Sequence, residues 1–216
     1  MQRAQILARI VASGVIPVIR APSGDDALAA ANAMQAGGID VFEFTMTVPS
    51  ALRVIETVAE SRGNDVVVGA GTVLDAETAR AAILAGAQFI VMPIVDVPTI
   101  EMCRTYGIPV MAGALTPTEV VRAWRAGADL VKVFPCSAVG GASYIKALRA
   151  PLPQIELVPT GGVTIATVGD FIAAGACAVG AGGDLVDIAR LRAGDHAALT
   201  DNARRYVAAI QHARKG

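Results

Sequence analysis

A (β/α)₈ TIM barrel is the fold class the sequence predicts, and three observations predict it. The 216 residues carry eight short runs rich in β-branched residues, each followed by an Ala-rich helical pattern. The units repeat about every 27 residues, close to the length of one strand–helix repeat. The runs are apolar on both faces, as strands of a parallel sheet covered by helices must be.

The elements follow in order. The opening MQRAQILARIVASG sets Ile6, Leu7, Ile10 and Val11 at helical spacing but carries Arg3 and Arg9, which excludes a secretory signal and reads as a short N-terminal capping helix. The first strand, Val15–Arg20, runs on through Ala21-Pro22-Ser23 without the GxGxxG turn that an open doubly wound sheet would place there. The second strand is Val41–Met46, the third Val66–Gly71, the fourth Phe89–Ile94 and the fifth Pro109–Gly113. The sixth is Leu130–Pro135, the seventh Glu156–Gly161 and the eighth Ala178–Gly182. The tail from Asp195 to Gly216 sets Leu199, Ala203, Val207 and Ile210 at helical spacing, which predicts a packed last helix. No stretch reads as a linker, so residues 1–216 are expected to form one barrel domain.

Composition narrows the function. The chain is 54% hydrophobic, 17% charged and 4% aromatic, with a net charge of −1. Its longest charge-free stretches, such as Ala81–Val95, fall short of the roughly 18 apolar residues of a membrane span. Acids and arginines are interspersed, leaving no basic footprint for nucleic acid or an anionic membrane. The two histidines, His196 and His212, lie late in the chain, so neither a Ser/His/Asp triad nor a histidine-rich metal site is expected. Cys103, Cys136 and Cys177 are odd in number and widely spaced, which suits reduced thiols in a cytoplasmic protein.

Barrel active sites lie at the C-terminal ends of the strands. The polar residues there are Arg20, Glu43 with Thr45 and Thr47, Thr72, Lys132, and Thr160 before Gly161-Gly162. Alternation puts Val41, Glu43 and Thr45 on one face and Leu130, Lys132 and Phe134 on one face, so Glu43 and Lys132 can both point into the barrel. Lys132 interrupts the apolar run Leu130-Val131-Lys132-Val133-Phe134, where desolvation favours the free amine, a nucleophile that forms Schiff bases with carbonyl compounds. A carboxylate nearby suits the proton transfers such chemistry needs. The alternative is a buried structural Lys–Glu ion pair. Thr160-Gly161-Gly162 and Gly180-Ala181-Gly182-Gly183 end the last two strands, where barrels often cradle phosphate on backbone N–H groups.

Four motifs occur in order at strand ends: Glu43-Phe44-Thr45, Gly69-Ala70-Gly71-Thr72-Val73, Lys132-Val133-Phe134-Pro135 and Pro159-Thr160-Gly161-Gly162-Val163. Together they make the chain, from about Val15 to Val186, resemble the 2-keto-3-deoxy-6-phosphogluconate (KDPG) / 4-hydroxy-2-oxoglutarate aldolase family. That resemblance implies a class I aldolase, a homotrimer without metal or cofactor, cleaving a 2-keto-4-hydroxy acid into pyruvate and an aldehyde. It makes Lys132 the Schiff-base lysine and Glu43 the proton shuttle. Thr72 would hold the pyruvoyl carboxylate, Pro93 and Phe134 would wall the pyruvate, Thr160 would meet the substrate's hydroxyls, and Gly161 and Gly162 would receive the distal phosphate, with Gly182 and Gly183 added as candidates by their place at the end of the eighth strand.

The chain also departs from the family pattern. Thr47 stands where many members carry an arginine, and Arg20, at the end of the first strand, is assigned the carboxylate instead, because its planar fork suits that group. Asp184 stands where a phosphate-binding serine is frequent. Facing the pocket it would repel phosphate, whereas capping its own helix it would be harmless. Met92 and Ile94, flanking Pro93, are less polar than in many relatives, which points to an altered aldehyde side. Phosphorylated KDPG is the first substrate expected, with 4-hydroxy-2-oxoglutarate or an unphosphorylated sugar acid as alternatives. A metal-type epimerase would need His and Asp ligands at strand ends that the chain lacks, and an idle binding barrel is the remaining alternative.

Overall fold

The computed structural model describes residues 1–215; Gly216, at the end of the tail read as a helix, lies outside the described residues. Eight parallel strands appear in chain order: β1 (Val15–Ile19), β2 (Val41–Thr45), β3 (Val67–Gly71), β4 (Phe89–Val91), β5 (Val110–Ala114), β6 (Leu130–Val133), β7 (Leu157–Pro159) and β8 (Val179–Ala181). Around them lie α1 (Arg3–Ser13), α2 (Gly24–Ala36), α3 (Ala51–Arg62), α4 (Ala76–Leu84), α5 (Val97–Thr105), α6 (Pro117–Ala126), α7 (Ala142–Arg149), α8 (Val168–Ala173), α9 (Ile188–Arg192) and α10 (His196–Ala213). From β1 to β7 each strand pairs with the next in sequence, and β1 pairs with β8. The barrel closes between β7 and β8 through the bridge Thr160↔Gly180 and the bond from Cys177 N–H to the Leu157 carbonyl, 3.1 Å.

β4, β6, β7 and β8 are each two or three residues shorter than the sequence reading, and for β4 and β6 the local reason is plain. β4 stops at Val91 rather than Ile94, because Pro93 has no N–H to extend a ladder. β6 stops at Val133, two residues before Pro135, where the chain enters a 3₁₀ turn over Cys136–Val139. Helix starts are written in the sequence: Ser23, Asp75, Asp96 and Thr116 each accept the N–H three residues on, satisfying donors that the helix itself leaves free.

The core has two layers. Inside the barrel, Ile16, Val41, Val67, Phe89, Val91, Met111, Leu130 and Val158 pack with Ile6 and Ile10 of α1, which therefore plugs the N-terminal end of the barrel. Burying each isoleucine contributes about 1.5–3 kcal/mol. Arg3 to Asp129 at 2.6 Å and Arg9 to Asp40 tie α1 to the residues just before β6 and β2. Outside the barrel, the other face of each strand packs on the helices, with Phe42, Phe44, Ile90, Val131, Val133 and Tyr206 among the buried residues. On α10 the buried stripe is Leu199, Ala203, Tyr206 and Ile210, so Tyr206 takes the place read for Val207.

All three cysteines are free thiols. Burial pushes Cys103 and Cys177 up to about 12 and Cys136 up to about 11, with the charges of Asp129 and Glu156 adding to the first two. Such thiols stay protonated and inert. Among the described residues no helix is long and apolar enough to cross a membrane.

Candidate active site

The two-residue period of the strands decides what faces the barrel mouth. On β2, Val41 belongs to the barrel interior while Phe42 and Phe44 belong to the outer layer, so Glu43 and Thr45 turn inward. On β6, Leu130 lies inside and Val131 and Val133 outside, so Lys132 turns inward as well. Glu43 is 3% exposed and Lys132 5%. The structure thus places both charged groups in the interior layer above the apolar plug.

They do not neutralise each other. Among the described residues neither takes part in an ion pair within 4.0 Å. Lys132 Nζ instead lies 5.2 Å from the centre of the Phe134 ring, within cation–π range. Glu43 Oε1 is buried and, among the described residues, has no hydrogen-bond partner. A buried acceptor left unsatisfied costs about 1–3 kcal/mol, a cost that calls for an explanation other than packing. The structural ion-pair alternative is therefore not what the fold builds.

Missing side chains make the room. A Cβ at Gly71, on the neighbouring strand, would collide with Glu43 Oε1, so the carboxylate occupies the space that the glycine leaves. Gly113 is level with Lys132 in the β5–β6 ladder, and a Cβ there would run into the main chain of Pro93. Pro93 is thus drawn over the strand next to the lysine. Met92, by contrast, is fully buried in the layer under the helices and not on the aldehyde side; Ile94 is exposed at the rim.

A cavity of about 320 Å³ is lined by Val18, Arg20, Phe134, Thr160, Gly161, Gly162, Gly182, Gly183 and Asp184, among others; Lys132 and Glu43 are not in its lining, and it meets the lysine's surroundings through the Phe134 ring. It gathers seven of the residues selected from the sequence: Arg20, Phe134, Thr160 and the four glycines. Gly161 and Gly162 have φ of 91° and 75°, a conformation that glycine adopts without strain. The N–H groups of Gly162 and Gly183 donate to no acceptor among the described residues, which leaves them for an anion. Arg20 is exposed and, among the described residues, unpaired. Thr47, Thr72 and Pro93 do not line this cavity. They sit at the ends of β2, β3 and β4, on the other side of the mouth, with the Thr47 hydroxyl bonded to that of buried Thr45 at 2.7 Å.

Asp184 lines the cavity, as one of the two expectations has it, but its Oδ2 is turned onto two donors and caps no helix of its own. Its Oδ2 accepts from the N–H of Ile165 at 3.1 Å and from the phenol of Tyr206 at 2.6 Å. Sequence reasoning missed Tyr206 and Asn202 of α10, which touch this loop; no local pattern marks them, because their partners lie 17 to 22 residues away in sequence. Among the described residues no group of three or more His, Cys, Asp or Glu is arranged to hold a metal ion.

The family model described as KDPG and KHG aldolase matches residues 6–202. A 2-dehydro-3-deoxy-phosphogluconate aldolase of Treponema pallidum is 34% identical over 86% of this chain and 88% of its own length. A 2-dehydro-3-deoxy-6-phosphogalactonate aldolase of Escherichia coli is 37% identical over 79% of this chain and 83% of its own. A crystal structure of KDPG aldolase from Legionella pneumophila, with pyruvate captured as a covalent carbinolamine, superposes with a TM-score of 0.85 at 29% identity, covering 93% of this chain and 97% of that one.

Proposed function

Because the chain belongs to the KDPG and KHG aldolase family, and is a metal-independent Schiff-base lyase as that family is, we propose that Lys132 and Glu43 cleave 2-keto-3-deoxy-6-phosphogluconate into pyruvate and glyceraldehyde 3-phosphate. The observation that carries the residue assignment is the unpaired, buried Lys132 amine in the same interior layer as the unpartnered Glu43 Oε1.

The neutral amine adds to the C2 carbonyl of the keto acid, giving a carbinolamine; Glu43 donates the proton with which its hydroxyl leaves as water, so that a cationic iminium and the Glu43 carboxylate result. The C3–C4 bond then breaks. Its electron pair enters the iminium to form an enamine, while Glu43 takes the proton of the C4 hydroxyl and the aldehyde departs. Glu43 returns a proton to C3, and water hydrolyses the imine, releasing pyruvate and the free lysine. Phe134 and Pro93 wall the pyruvyl carbon, and Thr72, whose hydroxyl makes no hydrogen bond among the described residues, is placed to meet its carboxylate. The 320 Å³ cavity takes the remainder of the substrate, with Thr160 toward its hydroxyls and Gly161, Gly162, Gly182 and Gly183 toward its phosphate.

Borohydride reduction in the presence of pyruvate tests this reading: a covalent adduct on the peptide that contains Lys132 is expected, and its absence refutes it. Values of kcat/KM on KDPG, on 2-keto-3-deoxy-6-phosphogalactonate and on 4-hydroxy-2-oxoglutarate should rank KDPG first; a preference for an unphosphorylated acid overturns the substrate assignment.

Arg20 lines the cavity that takes the far end of the substrate, across the mouth from Thr72, so its cation is assigned here to the phosphate rather than to the single carboxylate of KDPG. Arg20→Ala should raise KM roughly 10- to 100-fold with little change in kcat, since an exposed guanidinium remote from the bond being broken holds ground and transition states alike. Unchanged steady-state kinetics would remove it from the site. The barrel is proposed to act in the cytoplasm and as a homotrimer, a state that light scattering on the purified protein measures directly.

A further inference from the structure

Asp184 takes no part in the reaction described above, yet it joins the two glycine loops of the cavity. It follows Gly182-Gly183 after β8, and its Oδ2 reaches the N–H of Ile165 at 3.1 Å, in the loop that leaves β7 through Gly161-Gly162. The same oxygen accepts from the phenol of Tyr206 at 2.6 Å. Tyr206 is fully buried on α10, and burial followed by the bond to Asp184 raises its phenol, so the proton stays on the tyrosine and the bond runs from phenol to carboxylate. One turn earlier on α10, Asn202 Nδ2 donates to the main-chain carbonyl of Asp184 at 2.6 Å and to that of Leu185 at 3.4 Å.

α10 therefore grips the β8 loop by its main chain, and the Asp184 side chain extends that grip to the β7 loop. Satisfying a buried phenol requires only one acceptor, which any nearby carbonyl supplies. A carboxylate that also bridges to the neighbouring loop does more. Loops rich in glycine lose much entropy when ordered, and a charge-assisted bond between them fixes beforehand the spacing of the N–H groups that a ligand must meet. The two donors also hold the negative charge against the cavity wall.

We propose that Asp184 is a positioning residue for the far end of the substrate: with Tyr206 and the Ile165 N–H it sets the separation of the Gly161-Gly162 and Gly182-Gly183 loops, which rests on the reading of this cavity as the subsite for the distal group. Pyruvate alone has no distal group, so the two halves of the site can be read separately.

The test combines steady-state cleavage of KDPG with the pyruvate concentration that half-saturates borohydride trapping. Asp184→Ala should raise KM for KDPG roughly tenfold, leaving kcat and pyruvate trapping within about twofold of the parent. Asp184→Asn keeps an acceptor for both donors and should restore KM to within about threefold. Tyr206→Phe removes one of the two bonds without adding an atom; it should shift KM the same way by a smaller factor, and it decides the matter if Asp184→Ala does not fold. A KM that stays unchanged or falls in both Asp184→Ala and Tyr206→Phe overturns the proposal, as does an equal loss of kcat, KM and trapping, or an Asn variant as impaired as the Ala variant. A parent protein that traps no pyruvate refutes the aldolase assignment of Lys132, and the proposal with it.

Discussion

Replacing Lys132 by alanine should reduce cleavage by at least about 10⁴-fold and erase the borohydride-trapped pyruvate adduct, because the substitution removes the buried amine assigned to form the imine. The fold should survive. Lys132 makes no ion pair among the described residues, and truncation takes an amine out of an apolar wall rather than stranding a partner charge. Lys132→Arg separates nucleophile from charge: it keeps a cation near the Phe134 ring but offers no free amine, so it should be as inactive as the alanine variant. Substantial activity in the arginine variant would show that the site needs only a positive charge there. An adduct that persists in Lys132→Ala and maps to Lys146 or Lys215 would move the chemistry elsewhere.

Much of this was legible in the sequence because parallel barrel strands are buried on both faces, and a charge inside such a run stands out. Glu43 and Lys132 are the two charged residues inside the ladder segments, and strand alternation alone assigns their side. Alternation gives a face and not a distance, so whether the two would pair was open until the carboxylate was seen lodged in the space left by Gly71. The glycine loops were legible because an anion cradle needs main-chain approach. Their tether was not: the direction of Asp184 depends on a helix that begins twelve residues later and on a tyrosine one position from the apolar stripe read for that helix. Similarly, Met92 was read by its nearness in sequence to Pro93, whereas period two sends its side chain to the opposite layer.

Glu43→Gln should lower kcat about 10²- to 10⁴-fold with KM little changed, the range expected when a positioned acid–base group is lost and the binding surface stays intact. Glutamine matches glutamate in size and still accepts and donates hydrogen bonds, so the packing against Gly71 is kept. What it cannot do is take a proton from the C4 hydroxyl or from C3. The half-reaction with pyruvate isolates that deficit: in D₂O the parent enzyme should exchange the methyl protons of pyruvate through the enamine, and Glu43→Gln should lose exchange in the same proportion as cleavage. Stability should hold or rise by about 1 kcal/mol, since a buried carboxylate oxygen without a partner is replaced by a neutral group. A catalytic loss together with a steady or higher melting temperature identifies a group retained for chemistry at some expense of stability, whereas a loss of both together would mean that Glu43 holds the barrel rather than the proton. Formate or acetate added to Glu43→Ala should restore part of the exchange, because the truncated side chain leaves a carboxylate-sized space beside Gly71; exchange that Glu43→Gln retains in full would transfer the proton to another group at the mouth.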